Sequence, residues 1–366
     1  MSRPSLPEGA ASAQAARTAL AGFCERLALH ADDVSAALAQ ELHLVTWDRE
    51  QLIGSVQARL DAIAVGRGAL PGGLPARVCE WRAQPLEAVD AVWSLLVDGR
   101  RVAYEAEAGA CSATAMLLAE ASADLPPGAL TLLSEPAVSD GTLSPAPSSS
   151  QRAADIDPND PSTWPRAGVA RAVPRVAWVD AAADAELVAY VLARTCLRRS
   201  GTDPRAVHVA YVVGDAPRLQ RQLQRLWVAA QLGPASDPGS FAGPVDASLR
   251  DAFEVAQAAW RAEPRARVWC DGGELERGEG GEIYLAPAAF CASWPLPEHP
   301  LVGPMCCVVP CTAEQATSAA NAAAAAGASI VQVGGRPGAL RGDVRHIRGA
   351  VLVERLPPGL PEPRPA

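Results

Sequence analysis

The sequence contains no lysine, so all 32 of its basic side chains are arginine. That absence excludes Schiff-base chemistry, a pyridoxal phosphate site and a Walker-type phosphate loop, all of which use the ε-amine. A bias of composition towards Arg, Ala and Pro is its simplest cause, and the exclusion holds whatever the cause. Long apolar runs are also missing. No stretch reaches the length of a membrane span, and Met1-Ser2-Arg3-Pro4 leads into polar, Ala-rich sequence rather than an apolar signal core. A cytoplasmic protein is the expectation. The nine cysteines are unevenly scattered, which reads as reduced thiols rather than a disulfide framework. A net charge of -9 disfavours nucleic acid or an anionic membrane as partner, because both require a cationic face.

What is present is enough chain for two cored domains: 366 residues, 49% of them hydrophobic. Residues 14 to 40 carry Leu20, Phe23, Leu27, Val34 and Leu38 at three- and four-residue steps, which predicts a helix. A second helix is expected from Arg49 to Val65, stopped by Gly66. Strands at Ala76 to Cys79, Arg101 to Tyr104 and Ala129 to Leu133 alternate with helices at Leu86 to Val97 and Cys111 to Ala123. That spacing argues for a mostly parallel sheet of Rossmann type.

From Ser134 to Val173 the pattern dissolves into Ser, Pro, Asp and Gly, as expected of a long loop or linker. Regular structure should return with the strand Val176 to Val179, a helix Ala183 to Arg198 and the strand Val207 to Val213. Asp215 is placed to cap the next helix. A helix from Asp246 to Trp260 and strands at Arg267 to Cys270, Ile283 to Leu285 and Cys306 to Val309 follow. Thr312 and Gln315 have capping-box spacing, and further strands are expected at Ser329 to Val333 and Ala350 to Val353. The domains predicted on this basis are 1–199 and 200–356, with a Pro-rich tail at 357–366.

Between Leu232 and Asn321 a succession of turns stands out. It runs Leu232-Gly233-Pro234, Asp237-Pro238, Gly243-Pro244-Val245, Gly281-Glu282-Ile283-Tyr284 with Pro287 and Phe290, Gly303-Pro304-Met305, and Ala320-Asn321. In order and spacing it resembles the aldehyde dehydrogenase superfamily, and the resemblance extends from about Ala15 to about Leu356. It implies an α/β fold with a degenerate Rossmann-type parallel-sheet domain and a smaller α/β catalytic-type domain. It also implies where the chemistry would sit.

The family's reaction uses a thiolate nucleophile, an oxyanion donor, a carboxylate base and a bound nicotinamide. Its Gly-Gln-x-Cys turn is matched by Gly201-Thr202-Asp203-Pro204, with proline at the nucleophile's position. The asparagine of Pro-Trp-Asn-Phe-Pro is matched by Arg82, beside a retained Trp81. The ribose-holding lysine falls at Glu105, the glutamate of Glu-x-Phe-Gly-Pro at Pro300, and the base of Glu-Leu-Gly-Gly near Ala170. Five functional positions have changed together, so no catalytic, cofactor or metal residue is assigned. The expected role is structural or regulatory, through a protein partner such as an active dehydrogenase.

The alternative is an NAD(P)-dependent aldehyde dehydrogenase working through a non-standard thiol such as Cys196, for which NAD or NADP would be the cofactor. Alternation in Val207-His208-Val209 places His208 opposite the two valines, so it is expected to be a poor base for that thiol. Cys306, Cys307, Cys311 and His299 have the elements of a metal site, but neighbouring strand residues point to opposite faces. The segment Gly349 to Arg355 weakly resembles the glutamate-semialdehyde dehydrogenase branch. Some multifunctional proline-catabolic enzymes of that branch carry an inactive dehydrogenase-like domain. Only Gly66 to Glu80 separate Val65 from Trp81, too few for the family's oligomerisation hairpin, so the family tetramer is not expected.

Overall fold

A computed structural model describes residues 8–66, 73–133, 157, 160–167, 175–275, 281–335 and 340–347. Most of the 134–173 loop, the strand expected at Ala350 to Val353, Ala170 and the 357–366 tail lie outside the described residues. The chain divides into two compact units, Met1–Leu42 with Arg49–Ala172, and His43–Asp48 with Val173–Ala366.

In the first unit the N-terminal apolar stripe forms two helices, α1 (Glu8–Leu29) and α2 (Ala31–Leu42), followed by α3 (Thr46–Val65), whose first residues, Thr46 to Asp48, are counted with the second unit. The one long helix expected over 14–40 is therefore interrupted at His30, although hydrogen bonds from His30 N to Arg26 O and from Val34 N to His30 O bridge the break. Leu20, Phe23 and Leu27 are buried as their spacing requires, and Phe23 meets Trp93 with ring centroids 5.0 Å apart.

After α3 come β1 (Ala76–Glu80), α4 (Glu87–Val97), β2 (Val102–Ala106), α5 (Ser112–Ser122) and β3 (Leu130–Leu132). They make a three-stranded parallel sheet in the order β1-β2-β3. The outer edge of β1 is not bare. Arg77 N donates to Pro165 O and Ala167 N to Arg77 O, so residues within the Pro-rich segment form a one-residue parallel bridge to that edge. Trp164 is buried beside it, under the Arg101 guanidinium at 5.3 Å.

The second unit holds β4 (Arg175–Val179), α6 (Ala185–Leu197), β5 (Val207–Val213), α7 (Pro217–Ala229), α8 (Ala247–Ala262) and β6 (Ala266–Cys270). The short pair β7 (Gly273–Glu274) and β8 (Leu285–Ala286) precedes β9 (Ala288–Ala292), β10 (Met305–Cys311), α9 (Ala313–Ala325), β11 (Ser329–Val333) and β12 (Val344–Ile347). Seven strands form one sheet in the order β12-β11-β4-β5-β10-β9-β6, parallel except for β6. Helices α6 and α7 cover one face, with Leu192, Leu223 and Trp227 against Val207, Val212 and Val308. The other face carries α8 and α9. There Trp260 stacks on Phe290 with centroids 5.4 Å apart, and loss of either ring would cost about 3–5 kcal/mol.

Two expectations change. The boundary predicted after residue 199 falls instead at 172/173, because β4 pairs with β5 and β11 and carries α6 into the second unit. The catalytic-type unit, expected to be the smaller, therefore has the larger sheet. Asp215 does not cap α7 with its side chain; the helix starts at Pro217, whose fixed φ suits the first helical position. Thr312 and Gln315 do form a reciprocal capping box on α9, and Asp246 caps α8 through Leu249 N.

Both edges of the seven-stranded sheet are ill suited to pairing with another strand. Strand β6 exposes Arg267 and has a register irregularity between Val268 and Cys270, and β12 exposes Arg345 and His346. Charge and irregular register are the ordinary means of blunting a sheet edge. Among the described residues no helix is long and apolar enough to cross a membrane.

Candidate functional site

The turn matching the family's nucleophile position lies in the second unit. Helix α6 ends in a short 3-10 segment, Arg198–Gly201, in which Arg199 and Ser200 have φ of 50° and 52°. Both residues are buried, and the Ser200 hydroxyl donates to Gly243 O at 2.8 Å. Gly201, at φ +79°, is required by contact: a Cβ there would stand 2.0 Å from the carbonyl carbon of Gly303. The Gly201 and Gly303-Pro304 turns thus pack backbone to backbone. Pro204 follows at the head of β5 and offers no nucleophilic atom.

Cys196, the only substitute nucleophile weighed from the sequence, is fully buried on α6 and points its S–H at Met305 O, 2.8 Å away. Its other polar neighbour is the Cys306 thiol, whose ionisation is pushed far up by the hydrogen bond with Cys196 and by burial. His208 Nδ1 takes the same Met305 carbonyl at 2.8 Å, and burial depresses its basicity. Thiol and imidazole therefore share an acceptor instead of a proton.

The strand alternation expected around His208 fails. Arg175 pairs with Val207 but Val176 pairs with Val209, so His208 is the extra residue of a bulge. Val207 packs under α6 and α7 while Val209 packs on the opposite face. Cys306 and Cys307 belong to opposite faces of the sheet, and His299 is engaged by Glu263 at 3.1 Å. Among the described residues no three His, Cys, Asp or Glu side chains come together as metal ligands. Pro300 uses its carbonyl to accept the Trp260 indole N–H.

In an open parallel α/β sheet a nucleotide binds at the carboxyl ends of the strands, where helix N-termini present free N–H groups to phosphate. In the first unit those groups are taken from within. The Glu80 carboxylate, wholly buried at the end of β1, accepts Leu86 N at 2.6 Å, Ala88 N at 3.1 Å and Thr114 Oγ1 at 2.8 Å. Glu87 N and Val89 N are bonded to Gln84 O and Leu86 O, so the opening of α4 is closed. Glu41, from α2, does the same for α5, accepting Ser112 N at 2.8 Å and the Ser112 hydroxyl.

Glu105 lies near the carboxyl end of β2, buried, with Arg166 at 2.8 Å and Arg77 at 3.5 Å. The matched position Arg82 is exposed, and its backbone N–H is held by Glu107. Carboxylates already occupying the N–H groups that open α4 and α5 do not suit a dinucleotide, whose phosphates need such donors free. Sequence reasoning missed Glu80, Arg77 and Arg166. A glutamate closing the strand, just after Val78 and Cys79, was the available signal for Glu80; nothing local marked Arg166, whose partner is distant in sequence.

No family model matches this sequence, and no curated protein matches it. Solved structures do. Methylmalonate-semialdehyde dehydrogenase from Oceanimonas doudoroffii superposes with a TM-score of 0.70 at 16% identity, over 90% of this chain and 74% of that one. An aldehyde dehydrogenase from Bartonella henselae gives a TM-score of 0.73 at 16% identity, over 93% and 80%. A proline utilization A variant from Bradyrhizobium japonicum gives 0.70 at 18% identity, over 89% of this chain and 37% of that longer one. Identities of this size carry the fold alone, and the chain has the aldehyde dehydrogenase fold.

Proposed function

We propose that this chain is a non-catalytic member of the aldehyde dehydrogenase superfamily with a structural or regulatory role exercised through protein contacts. The observation that carries the reading is the turn Gly201 to Pro204, which keeps its backbone packing against Gly303 and has no thiol at the nucleophile's position. The closed carboxyl edge of the small sheet supports it, since hydride transfer requires a bound nicotinamide. The alternative, an NAD(P)-dependent aldehyde dehydrogenase using Cys196, requires that thiol to leave a fully buried position.

The nine free cysteines suit the cytoplasm. A monomer, a dimer through a surface of its own, or a subunit docked on an active dehydrogenase is the assembly that follows from a missing hairpin. The test is to incubate purified protein with NAD or NADP and a panel of simple aldehydes while following absorbance of the reduced nicotinamide. No turnover is expected. Robust turnover abolished by Cys196→Ser would establish the alternative and end the non-catalytic reading.

A further inference from the structure

Residues 160–167 lie in a stretch whose composition predicts only a loop, yet they dock on the three-stranded sheet in a defined way. The segment first braces itself. Asp160 accepts Ser162 N at 2.9 Å and opens a 3-10 turn at Pro161–Thr163. The Thr163 hydroxyl donates to Asp160 O at 2.8 Å, and the Trp164 indole N–H donates to Asp157 O at 2.9 Å. Local bonds of this kind hold the shape of the segment without help from the sheet.

The contacts with the sheet follow at Trp164 to Ala167. Pro165 O accepts Arg77 N at 2.9 Å and Ala167 N donates to Arg77 O at 2.8 Å, a parallel bridge one residue long on the outer edge of β1. Trp164 is 3% exposed, and the Arg101 guanidinium stands 5.3 Å from its ring centroid. Arg166 Nε lies 2.8 Å from Oε1 of the buried Glu105, on β2, which Arg77 approaches to 3.5 Å. Main chain, indole and guanidinium are thus held at three separate points. An added strand is recognised in the same manner, with hydrogen bonds along the main chain for hold and side-chain sites for selectivity.

We infer that the outer edge of β1, with Arg77, Arg101 and Glu105, is a docking site for an extended Trp-Pro-Arg segment, and that the partner it takes is the same segment of a second copy of this chain. The fit is already made within one chain, so exchange between two copies needs no new contact. The resident bridge is short, and few bonds are lost before an identical segment replaces it. Exchange is confined to close neighbours, because residues 168–174 span at most about 25–30 Å between Ala167 and Arg175 at full extension. The edge strands β6 and β12 are poorer places for a second copy, blunted as they are by charge and, in β6, by irregular register. This docking supplies the protein contact that the non-catalytic reading calls for, and rests on that reading for its purpose; the contact itself uses neither Pro204 nor Cys196.

The experiment uses the full-length protein and two complementary variants. Trp164→Ala with Arg166→Gln spoils the segment and keeps the edge; Glu105→Gln with Arg101→Gln spoils the edge and keeps the segment. Light scattering over a wide concentration range reports pairing, as does energy transfer between copies dyed at the α-amino group, the one reactive amine of a chain without lysine. Wild-type protein should form dimers that exchange subunits. Each variant alone should pair about tenfold more weakly or worse, and mixing the two should restore pairing, since one brings the edge and the other the segment. Circular dichroism reports whether each is folded; should the edge variant fail to fold, Arg101→Gln alone takes its place. Pairing is read without nicotinamide or aldehyde, so aldehyde turnover would end the non-catalytic reading and leave the docking site standing. A wild type that stays monomeric throughout, folded variants that pair as strongly as wild type, or a mixture that pairs no better than its components would overturn the inference.

Discussion

The carboxylate of Glu80 accepts the backbone N–H of Leu86 at 2.6 Å, a residue held at φ 65° just before α4. A carboxyl group, charged once it has lost its proton, is thereby fixed where the strand β1 ends and the helix begins.

That charge is costly to bury, and it makes stability depend on pH. Burial raises the Glu80 carboxyl from 4.5 to about 7, although Thr114, Leu86 and Ala88 oppose the rise. The folded state therefore holds this proton more tightly than the unfolded chain does. Stability falls as pH rises from about 4.5 to about 7, by an amount on the order of 3 kcal/mol, and levels off above. Burial also pushes the Asp48 carboxyl up, to about 6, and acts in the same direction, so the informative comparison is with Glu80→Gln. Urea unfolding between pH 5 and 8 should show a flatter profile for the variant; parallel profiles would contradict the assignment.

Gly201→Ala should be among the most damaging single changes in the chain. The new Cβ would meet Gly303 backbone at 2.0 Å, on top of the strain at φ +79°. A loss above about 3 kcal/mol, or failure to fold, is expected. Gly214→Ala is the control: φ is +89° but nothing lies within 4 Å of its Cβ, so only the conformational cost of about 1–2 kcal/mol applies. Equal midpoints for the two variants in a thermal melt would show that the Gly201 contact is not tight.

Thiol labelling separates the cysteines by burial. Cys24, Cys270 and Cys311 are partly exposed, and Cys196 is among the buried remainder. An aromatic disulfide reagent should modify those three first and reach Cys196 only on unfolding. Mass spectrometry of the native protein showing early modification of Cys196 would revive it as a nucleophile.

His208 should titrate below the ordinary histidine value of 6.5, because burial outweighs its bond to Met305 O and the influence of Asp203. The sign is opposite to that of Glu80: the stability this residue lends is present above the unfolded value and lost as pH falls through it. Proton-carbon spectra of histidine-labelled protein, assigned with His208→Gln, measure the midpoint directly. A midpoint at or above 6.5 would mean the ring is more solvated than the bulge allows.

Much of the architecture could be read from residue spacing alone. Helices with an apolar stripe, such as α4 and α8, and the capping box at Thr312 lie within a few residues of their expected places, because each signal is local. What failed was relational. An apolar strand such as Val176 to Val179 does not say which sheet it joins, and only its pairing with β5 and β11 assigns it to the second unit. The bulge at His208 was hidden for the same reason, since register depends on the partner strand. At the site, the sequence shows Pro204 in the turn matched to the nucleophile. The bonds made by Glu80, Glu41 and Arg166 were not legible, because they join residues remote in sequence.

The capping of α4 and α5 by internal glutamates has a consequence for how this protein would behave among metabolites. A dehydrogenase that binds its dinucleotide is stabilised by it, and its resistance to unfolding and proteolysis rises and falls with the nucleotide pool. Here the helix poles are neutralised by side chains of the same chain, so no free ligand is needed to complete them. On the proposed non-catalytic reading, its resistance to unfolding and proteolysis would not rise and fall with the nucleotide pool.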